Sequence, residues 1–279
     1  MNIRVTVILA LALIVLGIYL FVDAPAPFSE TRLARKTISI NDALRLLNAE
    51  NKAARALYTR EIVAKGKKSG LTFSEYWQEN NLNAGPLPAQ FLRATAVSLE
   101  KNPVPLGLYL GSDFPISSVN KFTGKQLTMF KQLKNTQQAL FFYVPDIKRY
   151  TYMEADIAIS KSCASCHNKH KQSPKNNWAL NDVMGATTWT YPDKQVGIEK
   201  LFELRRALHA GIRKSYSEYV KHVSRFNNSP EIGKQWPVQG YYLPDVKTFM
   251  QEFINRTAII SLASIESLSI AKSKTGDLK

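Results

Sequence analysis

Ala139-Leu-Phe-Phe-Tyr-Val144-Pro-Asp-Ile-Lys-Arg-Tyr150-Thr-Tyr-Met-Glu-Ala-Asp-Ile-Ala-Ile159 decides the fold. Its two arms, Ala139 to Val144 and Tyr150 to Ile159, are rich in β-branched and aromatic residues, which suit a pleated, half-buried surface. Pro145-Asp146 between them is turn chemistry, so the arms read as a β-hairpin. Val183 to Tyr191 has the same character and is expected to be a third strand. The sequence on both sides of this core changes from strand to helix periodicity.

Ser39-Ile-Asn-Asp42 resembles a capping box with Asp in the acidic position. Behind it Ile40, Leu44, Leu47, Ala54, Leu57, Tyr58 and Ile62 recur at helical spacing. The spacing predicts a helix to about Lys65, where Gly66 can end it. Thr72-Phe-Ser-Glu75 is expected to begin a short second helix, and Pro88 suits the first turn of a third, to about Glu100. Pro103, Pro105 and Pro115 punctuate Asn102 to Ile116, leaving a loop with at most a short strand. Glu199 to Arg225 carries Leu201, Leu204, Leu208, Ile212, Tyr219 and Val223, the stripe of a long amphipathic helix. Asn227 to Pro244 is a connection, and Val246 to Ala271 a final helix. Antiparallel strands with segregated helices predict an α+β fold. The uncharged run Thr257 to Ile265 is too short to span a membrane. The final helix therefore reads as a packing or dimerisation helix, and a homodimer is one expected assembly.

The chain has 279 residues with 37 Lys+Arg against 22 Asp+Glu, a formal charge of +15. Hydrophobic residues make up 45% and charged residues 21%, a globular composition. No Gly-rich phosphate loop, HExxH or GxSxG is present, so three large enzyme classes lose their usual signals, and no enzymatic activity is expected. Two cysteines cannot build a disulfide scaffold or a four-Cys zinc site.

Val5 to Val22 runs without a charge between Arg4 and Asp23. As a helix it reaches roughly 27 Å, close to a hydrocarbon core. The run exceeds an ordinary signal-peptide core, and Pro27 follows the A-x-A-like Ala24-Pro25-Ala26. An uncleaved signal anchor is therefore preferred over a cleaved signal peptide. Residues 1–24 are the expected transmembrane anchor and 25–38 a linker.

Cys163-Ala-Ser-Cys166-His167 is C-x-x-C-H, and it uses both cysteines. This spacing is the attachment signature of c-type haem. Each thiol adds across one vinyl group, and the adjacent His167 reaches the iron as proximal ligand and sole protein metal ligand named by the motif. One covalent haem c is expected. Two other readings stand beside it. A dithiol of the thioredoxin kind wants a βαβ context, and none precedes the motif. A Cys₂His₂ zinc site with His167 and His170 fits no common spacing. Covalent haem is attached outside the cytoplasmic membrane. Motif and anchor thus predict a single-pass inner-membrane protein with its body in the periplasm.

The second axial ligand is open among Met129, Met153, Met184, His170, His209, His222 and no protein ligand at all. His170 lies too close to His167 to bind from the opposite side. The two later histidines fall within an amphipathic helix, so Met129, Met153 and Met184 are the principal candidates. No Asp or Glu lies between Asp156 and Asp182, whereas Lys161, Lys169, Lys171 and Lys175 do. This is a solvated basic loop or an electropositive rim that steers an acidic redox partner. No nucleic-acid motif accompanies the lysines.

Ala53-Ala-Arg-Ala-Leu-Tyr-Thr59, Leu87-Pro-Ala-Gln-Phe-Leu-Arg93, Gly111-Ser-Asp-Phe-Pro-Ile116, Cys163 to His167 and Asp182-Val-Met-Gly-Ala186 occur in a fixed order. In this succession residues 40–192 resemble the periplasmic c-type haem domains with a PAS-like fold. Such domains precede histidine kinases, chemoreceptors and cyclases, and also occur as stand-alone single-haem cytochromes. The resemblance implies a PAS-like antiparallel sheet with flanking helices over 39–192, followed by a C-terminal helical region over 193–279. Two positions depart from the family: Asn168 and Asn181 stand where Gly is usual. No kinase, cyclase or receptor domain follows residue 192. Two functions are expected. One is a redox or small-gas sensor that signals to a protein partner. The alternative is a cytochrome that exchanges electrons with an acidic partner.

Overall fold

The computed structural model describes residues 13, 37–79, 82–233 and 243–259. The expected anchor lies outside them apart from Leu13. Among the described residues no helix is long and apolar enough to cross a membrane. Residues 1–36 and 37–279 form two separate units, and everything below concerns the second.

The expected strands form the centre of a mixed α/β fold. Strand β1 (Thr37–Ser39) leads into helix α1 (Ile40–Leu57), which Ser39 caps by accepting a hydrogen bond from the Asp42 N–H at 3.1 Å. Such a cap is worth about 1 kcal/mol. The helix does not stop at Gly66. It widens into a π-helical segment, Tyr58–Ala64, and ends after a last α turn, Lys65–Lys68. The stop is Gly70, whose φ of +90° is open to glycine at little cost. There Leu71 N–H reaches Gly66 O at 2.9 Å and Gly70 N–H reaches Lys67 O at 3.2 Å, closing a Schellman motif.

Thr72 does not start a helix as its sequence suggests. Thr72–Ser74 is strand β2, paired in parallel with β3 (Ala84–Pro86). Ser74 Oγ accepts from Tyr76 N–H at 3.1 Å, so the polar residue makes a turn rather than a cap. Helix α2 (Pro88–Glu100) begins with Pro88 in its first turn, as expected. Strand β4 (Gly107–Gly111) is the short strand allowed within the Pro-punctuated segment. Helix α3 (Gly124–Thr136) has no counterpart in the sequence reading. Only Phe130 and Leu133 are buried on it, too sparse a stripe to stand out.

Strands β5 (Leu140–Val144) and β6 (Arg149–Ile157) form the expected hairpin, and β7 (Val183–Tyr191) the third strand. The antiparallel sheet has the order β4-β7-β6-β5. Its alternating side chains face two cores. On one face Leu108, Tyr152 and Trp189 pack against α1, α2 and helix α5 (Ile198–Val223), with Leu44, Leu47, Leu204 and Leu208 fully buried. Each such leucine contributes about 1.5–3 kcal/mol. On the other face Phe142, Val144 and Met153 pack with Phe122, Phe130 and Leu133 beneath α3. Strand β8 (Gln195–Gly197) pairs with β1 and ties the two ends of this region together. The chain continues through the two-residue strands β9 (Ile232–Gly233) and β10 (Leu243–Pro244) into helix α6, described over 246–259. Phe249 and Phe253 of α6 are fully buried in the α1–α2–α5 core.

Candidate functional site

The C-x-x-C-H residues sit on a nine-residue helix, α4 (Lys161–Lys169), carried on the excursion between β6 and β7. Two backbone bonds clamp the base of that excursion. Ala158 N–H reaches Asp182 O at 2.9 Å, and Asn181 N–H reaches Ala158 O at 3.0 Å. Asn181 adopts φ +70°, which asparagine tolerates better than most residues. The departure from glycine therefore preserves the turn.

On α4, Cys163, Cys166 and His167 stand at helical offsets of three and four, so they share one face. Both thiols are free; Cys163 is half-buried and Cys166 exposed. Ser160 Oγ lies 3.1 Å from Cys163 Sγ. Burial of His167, and secondarily the charge of His170, push the His167 imidazole below its ordinary pKa. The ring is thus held neutral, the form that donates a lone pair to a metal. Its Nδ1 atom is buried without a hydrogen-bond partner among the described residues. A partly desolvated, neutral imidazole with an unpartnered Nδ1, beside two free thiols, fits a covalently attached haem. Cys163 and Cys166 would hold the macrocycle, and His167 the iron.

His170 is engaged elsewhere. Its Nδ1 accepts from Gln172 N–H at 3.2 Å, so Nε2 donates to Glu75 Oε1 at 2.8 Å. A zinc tetrad with Cys163, Cys166 and His167 would break both bonds. Among the described residues no cluster of three His, Cys, Asp or Glu side chains is arranged to hold a metal ion. Asn168 turns the second departure from glycine into a staple. Its Nδ2 donates to Trp178 O at 2.9 Å, and its Oδ1 accepts from Trp178 N–H at 2.7 Å. The loop after α4 is thereby pinned to the helix that carries the thiols. Lys175 lies over the Trp178 ring at 4.3 Å.

The three candidate methionines occupy different places. Met153, on β6, is wholly buried in the core beneath α3. Met129, on α3, is partly buried against that core. Met184 is half-buried at the start of β7, and its carbonyl accepts from Ser112 Oγ at 2.7 Å. Of the histidines of α5, His209 has a polar partner, whereas the buried Nε2 of His222 has none among the described residues. His209 Nε2 lies 2.8 Å from Glu50 Oε2, and the His222 ring packs edge-on to Trp77 and Phe226. Around α4 the side chains of Lys161, Lys169 and Lys171 are exposed. So are the apolar Ile159 (75%), Leu180 (47%) and Phe114 (41%).

Sequence reasoning missed the polar links that join this region to the helices. Asp156, near the end of β6, accepts from Arg55 of α1 and from Thr187 Oγ1 at 3.0 Å. Two residues earlier Glu154 accepts from Asn48 and from Lys52 Nζ at 2.7 Å. From α1, fully buried Glu50 reaches Arg205 Nε at 2.5 Å and His209 on α5. The His209 ring then meets Phe253 of α6 at 4.9 Å. Only the helical spacing of 45, 48, 52 and 55 hinted at a second, polar stripe on α1.

The sequence profile of the Tll0287-like family matches residues 38–192, more than half of the chain. No curated protein and no solved structure matches it. The matched span runs from β1 through β7 and so contains the whole four-stranded sheet and α4 with its C-x-x-C-H motif. On that span the chain belongs to the Tll0287-like family.

Proposed function

We propose that this protein is a membrane-anchored, periplasm-facing monohaem c-type protein that senses redox state or a small gas and signals to a protein partner. The carrying observation is the grouping on α4 of two free thiols with a neutral, half-buried His167 whose buried Nδ1 has no hydrogen-bond partner among the described residues. When bound, haem supplies an iron that changes oxidation state and can take a small ligand. The chain supplies the rest. Cys163 and Cys166 anchor the group, His167 holds the iron, and Asn168 fixes the loop that closes over α4. The four-stranded sheet between two helical layers suits a PAS-like domain.

Sensing needs a route out of the site. The link from Asp156 to Arg55 ties α1 to β6, and those from Glu50 to Arg205 and His209 tie α1 to α5. A small shift of β6 at Asp156 changes its pairing with Arg55 of α1, the kind of local event that biases a bistable element. The second reading, electron transfer, is favoured by one observation: exposed lysines and exposed Ile159, Leu180 and Phe114 together surround α4. Exposed apolar and cationic side chains on the same excursion suit a transient acidic redox partner.

The test is the absorption spectrum of dithionite-reduced protein, made with a haem-maturation system, before and after CO. A band that shifts with CO supports gas sensing. A band indifferent to CO, with fast, salt-sensitive reduction by an acidic donor, supports electron transfer instead. Absence of any haem band, with maturation working on a control cytochrome, overturns both.

A further inference from the structure

A groove of about 420 Å³ lies between α1 and β6, on the sheet face away from α3. It falls within the roughly 300–1,000 Å³ range of small-molecule sites. Its wall is an α1 stripe of Arg45, Ala49, Lys52 and Ala53, and its floor is Tyr152 and Glu154. The two alanines, one turn apart, leave room above the sheet that larger side chains would fill. The floor extends outward as an aromatic platform. Phe141 stands directly opposite Tyr152 in the β5–β6 register, on the same face, and is 38% exposed. Its ring stacks with Tyr150 at 6.0 Å and 11°.

The polar groups are unequal in what they have left to offer. Glu154 already accepts from Asn48, Lys52 and Tyr152. Lys52 is committed to it at 2.7 Å. Arg45 gives one Nη2 bond to Asp42 at 3.2 Å, and its side chain is 62% exposed, with four of the five guanidinium N–H donors still to place. Burial, reinforced by Glu154, holds the Tyr152 hydroxyl above the ordinary phenol range, so it stays a neutral group beneath the cation. The surplus is therefore a planar cationic fork above buried Tyr152, beside the exposed ring of Phe141.

We propose that this groove is a binding site for a small planar aryl carboxylate. The carboxylate pairs bidentately with Arg45. The ring lies against the exposed face of Phe141, above the edge of buried Tyr152, with Ala49 and Ala53 on the opposite side. The site is separate from α4 and does not depend on haem being the cofactor.

Isothermal titration of the full-length protein with benzoate tests it, with benzyl alcohol and cyclohexanecarboxylate as probes of charge and planarity. Benzoate is expected to bind with a dissociation constant on the order of a millimolar or tighter. Benzyl alcohol should bind at least about tenfold more weakly, as should benzoate to Arg45→Ala. Ala49→Leu fills the groove and should abolish binding. Ala49 is only half-buried, so this variant should keep the melting temperature of the parent. Arg45→Lys should recover only part of the affinity, since Lys lacks the planar fork. No benzoate heat in the parent protein overturns the proposal, as does equal binding to Ala49→Leu. Binding of an acidic amphipathic peptide, lost in Ala49→Leu, without binding of any small acid assigns the groove to a protein partner and overturns it too.

Discussion

Replacing Glu50 with Ala tests the connection between α1 and α5 most sharply. The Glu50 carboxylate is fully buried, with Arg205 Nε at 2.5 Å and His209 Nε2 at 2.8 Å. Removing one partner of a buried ion pair costs about 3–5 kcal/mol, because the remaining charge is left desolvated. Here Arg205 and His209 keep 25% and 21% of their side-chain surface exposed, so each can turn partly to water. That places the cost at the lower end, about 3 kcal/mol. For a unit of this size it corresponds to a fall in melting temperature of about 6–12 °C. Glu50→Gln keeps an acceptor of nearly the same shape and should lose roughly half as much. Circular-dichroism melts of both variants, matched for haem content, read the effect. The double variant Glu50→Ala/Arg205→Ala should be less destabilised than the sum of its parts by at least about 1 kcal/mol. An Ala variant that melts within a degree or so of the parent, or strictly additive single effects, would refute the claim that this carboxylate joins the two helices.

Three further outcomes follow from the same geometry. Asp245 accepts from Thr248 N–H at 2.7 Å at the start of α6, and that backbone bond holds its carboxyl below the ordinary value of 3.8. A lowered folded pKa means stability present above pH 3.8 and lost as pH falls through the folded value. Asp245→Ala should therefore cost about 1 kcal/mol at neutral pH, with the difference from the parent shrinking in acid melts; a pH-independent difference would contradict the cap. Gly185→Ala should unfold the start of β7, because a Cβ there lies 2.6 Å from the Gly111 backbone oxygen, which cannot move without breaking the β4–β7 ladder; a fully folded variant by circular dichroism would refute that close approach. Asn168→Gly removes both hydrogen bonds to Trp178, so limited trypsin digestion should cut the variant faster after Lys171 and Lys175; unchanged cleavage would show that the staple does not hold the loop.

The hairpin and β7 were legible because they are dense in β-branched and aromatic residues, with turn chemistry between the hairpin arms, and α1 and α5 because each buries a dense apolar stripe. Helix α3 was illegible for the opposite reason: it covers one face of the sheet with only two fully buried residues. The Thr72 segment misled because Ser and Thr make turns as readily as caps; the deciding partner, β3, lies beyond residues 75–83 and pairs in parallel. At the site, Cys163, Cys166 and His167 declared themselves because their chemistry requires contiguity in sequence. The residues that hold them did not. Glu75 meets His170, Arg55 meets Asp156 and Glu50 meets His209 across long stretches of chain, and no local pattern encodes such pairings. Asn168 looked like a neutral departure from glycine; its role depends on Trp178 folding back over α4.

Covalent haem at α4 is the central claim, and the intact mass of the purified, denatured protein measures it most directly. The protein should be made with a haem-maturation system and extracted with acidified acetone before the measurement. The parent should retain the mass of one haem, and Cys163→Ala/Cys166→Ala should show the bare polypeptide. His167→Ala should keep the attached mass but lose the parent's reduced-haem spectrum. A parent chain with the mass of the bare polypeptide, while a control cytochrome matures normally, would contradict the account and return both cysteines to dithiol chemistry.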